Sequence, residues 1–229
     1  MKIQDATVLI TGANRGIGKS FAEEALARGA RKVYAAARDP RTVTTPGVEP
    51  VRLDITDPAA IAELAERLTD VDILVNNAGV ALSTSIIDDD LETIRREMEV
   101  NYYGPLQVSR AFAPTLTARE GHLLIVNSAL SWAVIPGTAP YAATKAASWM
   151  LANALRLELA PKVGVTSLHV GYVDTDMAAG VTGEKVPPAE VAREAFDGIE
   201  KGAMEVLVDG TSRQVKAALS LDPSALYGS

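Results

Sequence analysis

Tyr141 and Lys145 stand four positions apart in Pro140-Tyr-Ala-Ala-Thr-Lys145, inside a run from Pro140 to Ala160 whose pattern predicts a helix. At that spacing both side chains leave one helix face, the lysine one turn beyond the tyrosine. An isolated phenol has a pKa of about 10 and is a poor proton donor or acceptor at neutral pH. A neighbouring ammonium favours the phenolate and draws that pKa toward the working range. The pair is therefore a candidate acid–base couple. The spacing is also commonplace on ordinary helices, so its meaning depends on what the rest of the chain brings to it.

A second stretch could hold phosphates. Thr7 to Thr11 is a short apolar, β-branched run that predicts a buried strand. Gly12-Ala-Asn-Arg-Gly16-Ile-Gly18 follows and opens a helix with Ile17, Phe21 and Ala25 on one face, stopped near Gly29. Strand, glycine turn and helix N-terminus together make an anion site, because free N–H groups and the helix dipole point at the ligand. The spacing is G-x-x-x-G-x-G rather than the commoner G-x-G-x-x-G.

Composition removes other chemistries. With no Cys in 229 residues, disulfides, thiolate nucleophiles and Cys-bound zinc are excluded, and the two isolated His give no metal-ligand spacing, so no metal site is expected. A net charge of −7 argues against broad nucleic-acid binding. No apolar run approaches membrane-spanning length. Met1-Lys-Ile-Gln-Asp5 leads almost directly into the first strand, with no room for a signal peptide, so a cytoplasmic protein is expected.

The remaining elements must position these residues. Lys32–Ala37, Val51–Leu53, Asp72–Val75, His122–Val126, Gly164–Val170 and Glu205–Val208 read as further strands. From Pro40 to Pro50 the chain holds two further prolines, Pro46 and Pro50, and no helical period, which predicts a loop where a crossover helix would usually lie. Asp57-Pro58 is an N-cap with proline at the first helical position, followed by a buried stripe of Ile61, Leu64, Ala65 and Leu68. Asp88-Asp-Asp90 starts a long helix with Leu91, Ile94 and Met98 facing inward. Within it Pro105 crowds the carbonyl of Asn101, which predicts a bend that frees that carbonyl for another partner. Ala178 to Val186 reads as a short lid. Helices are also expected from Pro188 and over Ser212–Ser220. No linker, repeat or composition break divides residues 1–229.

Alternating strands and helices imply one α/β domain, doubly wound and Rossmann-type, with a parallel sheet of about seven strands covered on both faces. Ligands in such sheets bind at the carboxyl ends of the strands. The glycine turn, Asp54, Asn76, Ser128 and Gly171 all fall there.

The chain resembles the short-chain dehydrogenase/reductase family over nearly its whole length. The matching motifs are Thr11-Gly-Ala-Asn-Arg-Gly-Ile-Gly18, Asp54, Asn76-Asn-Ala-Gly79, Asn101, Ser128 and Tyr141-x-x-x-Lys145, in the family's order and at its distances. The resemblance implies that Tyr141 exchanges a proton with the carbonyl or alcohol oxygen while Ser128 polarises and orients it. It implies that Lys145 lowers the tyrosine pKa and binds the nicotinamide ribose, and that the Asn101 carbonyl holds a water in a relay with Lys145. Gly12, Asn14, Arg15, Gly16, Ile17 and Gly18 would cradle the cofactor phosphates. Asp54 would meet the adenine, Asn76, Ala78 and Gly79 its ribose edge, and Val173 and Thr175 the carboxamide end.

The resemblance also bears on the choice of cofactor. NAD-preferring relatives usually carry an acidic residue at the end of the second strand; here Ala37 stands there, with Arg38 next. A guanidinium suits the 2′-phosphate of NADP(H), with Arg15 approaching from the other side. Asp39 would take the ribose instead if the strand ended later. The expected activity is hydride transfer between NADP(H) and a small-molecule ketone, aldehyde or alcohol, with broad tolerance. Two alternatives are 3-oxoacyl reduction on a carrier protein, with Arg95 and Arg96 as a docking pair, and a non-catalytic NADP sensor. Leu82, Leu130, Val134, Tyr172 and Met177 are candidate apolar pocket residues, while Trp132, Trp149 and His169 read as packing residues. A homodimer or homotetramer is expected through the Asn101 and Tyr141 helices. Val170 replaces the proline that usually precedes Gly171.

Overall fold

In the computed structural model, which describes residues 1–82 and 84–227, the first strand is Thr7–Thr11 (β1), buried along its whole length. Glycines turn the chain into helix α1, Gly16–Ala27. Strand β2 (Lys32–Ala37) and strand β3 (Glu49–Arg52) follow, joined by one 3-10 turn, Pro40–Thr42, and no crossover helix. The expected loop is thus present, and β3 begins two residues earlier than its apolar core suggested. Helix α2 (Pro58–Arg67) is capped by Asp57, whose carboxylate accepts from Ala59 N at 3.0 Å and Ala60 N at 3.2 Å. Strand β4 is Ile73–Asn76.

Helix α3 (Leu91–Met98) starts at Asp90, which accepts from Thr93 N at 3.1 Å. It runs through a π-helical turn, Glu99–Tyr103, into helix α4, Gly104–Ala118. The irregularity expected from Pro105 is therefore real, and it takes the form of a widened turn centred on Asn101. The inward face of α3 differs from its apolar pattern. Leu91 is exposed, and the buried side chain is Glu97. A carboxylate is buried there because it accepts the Leu82 amide at 2.9 Å.

Strand β5 (His122–Val126) leads to helix α5, Ala139–Glu158. Strand β6 (Gly164–His169), helix α6 (Pro188–Lys201) and strand β7 (Glu205–Leu207) complete the sheet. Helix α7 (Gly210–Ala218) begins two residues before the apolar pattern, because Asp209 and Ser212 form a capping box. A further short helix, α8 (Ser224–Tyr227), lies beyond the predicted elements.

All seven strands are parallel, in the order β3-β2-β1-β4-β5-β6-β7. This is a single Rossmann-like sheet buried on both faces, so its strands read as continuous apolar runs. Val8, Ile10, Ile73 and Val75 face a core with Phe21 of α1 and Phe196 of α6, whose rings meet edge to face at 5.5 Å. Leu9, Leu74, Leu123 and Ile125 face the opposite core, under α2, α4 and α5. Successive strands extend outward in opposite directions from β1 and β4, so a crevice opens at their carboxyl ends. Among the described residues, no helix is long and apolar enough to cross a membrane.

Candidate active site

At the crevice the glycine turn is shaped by backbone that only glycine adopts readily. Gly12 and Gly16 have φ of +66° and +53°. A Cβ on Gly18 would lie 2.1 Å from the Gly12 carbonyl oxygen and 2.6 Å from Asn77 Nδ2, so the start of α1 packs directly under the turn. Thr11 ties the turn to β4: its hydroxyl accepts from the amides of Asn77 and Ala78, each at 3.0 Å. Asn77 Nδ2 donates to the carbonyls of Thr11 at 3.0 Å and Gly12 at 3.2 Å. The turn is thus a rigid cradle of backbone N–H groups, which suits a dinucleotide pyrophosphate.

A groove of about 1610 Å³ runs from this cradle across the ends of the strands. Of the expected cofactor residues, Gly12, Asn14, Arg15, Gly16, Ile17, Arg38, Asp54, Ala78, Gly79, Val173 and Thr175 line it. Gly18 lies beneath the turn. Asn76 is turned away: it shares the face of Leu74, and its Nδ2 donates to Ser109 Oγ at 2.9 Å. The two-residue period of a strand decides this, and Asn77 and Ala78 take the groove side.

Charged groups at the second strand's end are sorted by pairing. Asp39 is taken up by Arg41, at 2.9 and 2.8 Å in a forked contact. Arg38 is exposed, with no described carboxylate within 4.0 Å. Burial works against ionisation of Asp54, but the amide and hydroxyl of Thr56, at 2.9 and 2.7 Å, with the charges of Arg38 and Arg96, hold it below the usual carboxylate range. Arg15 does not point at the same place as Arg38. Its guanidinium pairs with Asp176 at 3.0 Å, bridging the glycine turn and the segment after Thr175.

At the other end of the groove α5 presents Tyr141 and Lys145, and the turn after β5 presents Ser128. Burial pushes the Tyr141 phenol well above its ordinary pKa; a hydrogen bond with Ser128 draws it down, and the Glu97 charge raises it again. Burial lowers Lys145 to about 8. The lysine Nζ donates to the Val126 carbonyl at 2.9 Å and stands 5.7 Å from the centre of the tyrosine ring. The expected lowering of the tyrosine by the lysine is therefore overridden by desolvation in this arrangement. Asn101 is buried on the π turn. Its side chain clamps Val80, accepting from N at 2.9 Å and donating to O at 2.8 Å, and donates to Thr144 Oγ1 at 3.0 Å. Leu82, Leu130, Tyr172 and Met177 line the groove as expected, whereas Ala133 and Ile135 occupy the place given to Val134.

A family profile described as short chain dehydrogenase matches residues 6–185. The chain belongs to the short-chain dehydrogenase/reductase family. A short-chain dehydrogenase from Burkholderia cenocepacia, solved in complex with NADP, superposes with a TM-score of 0.95 and 37% identity, covering 99% of this chain and 98% of that one. The 11-beta-hydroxysteroid dehydrogenase A of Sesamum indicum is 32% identical over 96% of this chain, which spans 66% of that relative's length. Carbonyl reductase [NADPH] 2 of Sus scrofa is 34% identical over 80% of this chain and 78% of its own.

Within this family member the sequence motifs contain Thr11 and Asn77 without giving either a role of its own, and Glu97 and Asp209 escaped the sequence reading. Glu97 stands one helical turn before Asn101, a spacing that could have placed it on the same face. Asp209 accepts the Gly171 amide at 2.8 Å, a contact between distant segments that no local pattern announces.

Proposed function

We propose that this family member is an NADP(H)-dependent carbonyl reductase or alcohol dehydrogenase with broad tolerance for apolar ketones and aldehydes. One observation carries the reading: Ser128, Tyr141 and Lys145 open onto the same groove as the glycine cradle. Gly12, Asn14, Arg15, Gly16 and Ile17 would hold the pyrophosphate, with Gly18 packed beneath them, Asp54 the adenine, and Asn77, Ala78 and Gly79 the adjoining ribose. Val173 and Thr175 would face the carboxamide. When bound, the cofactor supplies the hydride.

The chain's own residues handle the oxygen and its proton. Tyr141, kept protonated by burial, donates to the substrate oxygen in reduction, and Ser128 donates a hydrogen bond to that oxygen. Lys145, charged below about pH 8, offsets the negative charge left on the phenol. The Asn101 carbonyl, on the π turn, would hold a water leading from Lys145 to solvent. Arg38 would grip the 2′-phosphate, a role supported by the closure of Asp39 on Arg41 and by the NADP bound to the Burkholderia relative. Apolar lining by Leu82, Leu130, Ile135 and Met177 supports the substrate class. Exposed apolar side chains at Tyr103, Met150 and Leu157 support self-association into a homodimer or homotetramer, and a cytoplasmic setting fits this chemistry.

The test is NADPH oxidation with a panel of ketones and aldehydes of graded size. Turnover of several apolar carbonyls is expected. Tight NADPH binding without turnover of any would favour a nucleotide sensor.

A further inference from the structure

Ser128 opens a 3-10 turn of three residues, Ala129–Ser131, closed by Trp132. So short a turn has poor hydrogen-bond geometry of its own and takes its orientation from what surrounds it. Its neighbour on β6 is His169, fully buried. His169 Nδ1 lies 3.0 Å from the Ser128 carbonyl oxygen. That oxygen can only accept, so Nδ1 carries the proton. Nε2, 2.8 Å from Ser167 Oγ, then accepts the serine hydroxyl. Ser167 Oγ in turn accepts from Asn127 Nδ2 at 2.8 Å.

The ring face is used as well. It stacks on Trp132 with centroids 3.9 Å apart and planes 19° from parallel. Trp132 is backed from outside: Trp149 meets it edge to face at 5.9 Å, and the Lys216 ammonium lies 4.5 Å from its centre. Glu205 fixes both backing groups, accepting from Trp149 Nε1 at 2.8 Å and pairing with Lys216 at 2.8 Å. A single imidazole therefore touches Ser128, which opens the turn, Trp132, which closes it, and, through Ser167, Asn127 just before them.

We infer that His169 is a positioning residue, whose ring holds Ser128 and Trp132 in register and so aims the Ser128 hydroxyl at the reacting oxygen. The inference rests on the reductase reading. Without the ring nitrogens the Ser128 carbonyl keeps, among the described residues, only the Ser131 amide at 3.0 Å; Ala129 N still donates to the Val170 carbonyl at 2.9 Å, so the turn can pivot about that bond and shift Ser128. Displacements of ~1 Å near the chemistry cost on the order of 10²-fold in rate. Burial lowers His169 to about 4, so the ring stays neutral and the proton stays on Nδ1 at working pH.

His169→Phe keeps a stacking ring and removes both nitrogens; His169→Asn returns a donor near the place of Nδ1. In His169→Phe, kcat should fall roughly tenfold, within the range such misplacement produces, with NADPH affinity by fluorescence titration unchanged. His169→Asn should recover most of the loss. In a Ser128→Ala background, His169→Phe should cost nothing further, because the side chain it aims is gone. Additive losses in the double variant, or a fall in kcat matched by weakened NADPH binding, overturn the inference while leaving the reductase reading intact. If the wild-type protein reduces no carbonyl, the reductase reading fails, and the inference is read from amide exchange. Exchange at Ala129–Ser131 should be faster in His169→Phe and restored in His169→Asn; unchanged protection overturns it. Should His169→Phe fail to fold, His169→Gln, which lacks the donor at Nδ1, carries the same comparisons.

Discussion

The ammonium of Lys145 stands 5.7 Å from the centre of the Tyr141 ring, one helical turn along α5, with its proton donated to the Val126 carbonyl at 2.9 Å. It is close enough to offset a phenolate, yet it does not hydrogen-bond the phenol. Burial therefore dominates both groups, raising the tyrosine and lowering the lysine. The tyrosine is stored as an acid, which suits reduction.

Removing that acid should stop turnover and little else. Tyr141→Phe is expected to lower kcat by about 10²–10⁴, the usual contribution of a general acid. NADPH binding, measured by fluorescence, should remain near wild type. Near-normal turnover would remove Tyr141 from the mechanism.

The lysine sets a pH limit. With its pKa near 8, Lys145 is cationic below that value and neutral above it. For reduction, kcat/KM should therefore be level at lower pH and fall about tenfold per unit above about pH 8. A flat profile through that region would mean that the lysine charge is not needed.

Arg38 should govern the choice of cofactor. Charge-assisted contacts contribute about 1.5–3 kcal/mol, so Arg38→Ala should raise KM for NADPH roughly 10- to 100-fold. KM for NADH should barely move. A wild-type preference for NADH would reject this assignment and return Asp39 as the ribose ligand.

Acid should destabilise the fold before most carboxylates titrate. Burial holds His122 and His169 at about 4, below the ordinary histidine value of about 6.5. Between those values the unfolded chain binds more protons, so stability is lost as pH falls from about 6.5 to 4. Depressed carboxylates such as Asp54 and Glu205 lose their contribution only below their own unfolded values, at more acid pH. Thermal melts across this window should show a falling Tm, with a shallower slope in His169→Asn. A Tm constant from pH 6.5 to 4 would contradict the assignment.

The sequence alone determined what local chemistry can determine. Apolar runs marked all seven strands, Asp57-Pro58 marked the start of α2, and Pro105 marked an irregularity beside Asn101. The glycine turn, Asp54, Asn77 and Ser128 pointed to the cleft, because each follows a strand end and ligand-binding residues gather there in parallel sheets. Tertiary structure decided whatever depends on contacts between distant segments. It turned Asn76 toward Ser109, set Arg15 against Asp176 and buried Glu97 under Leu82. It also put His169 beneath Ser128, 41 residues away in the chain. Hydrophobic period and turn chemistry act over a few residues and can be read in order. Ion pairing, desolvation and side-chain direction depend on which strand lies beside which, and that neighbour is chosen only when the sheet assembles.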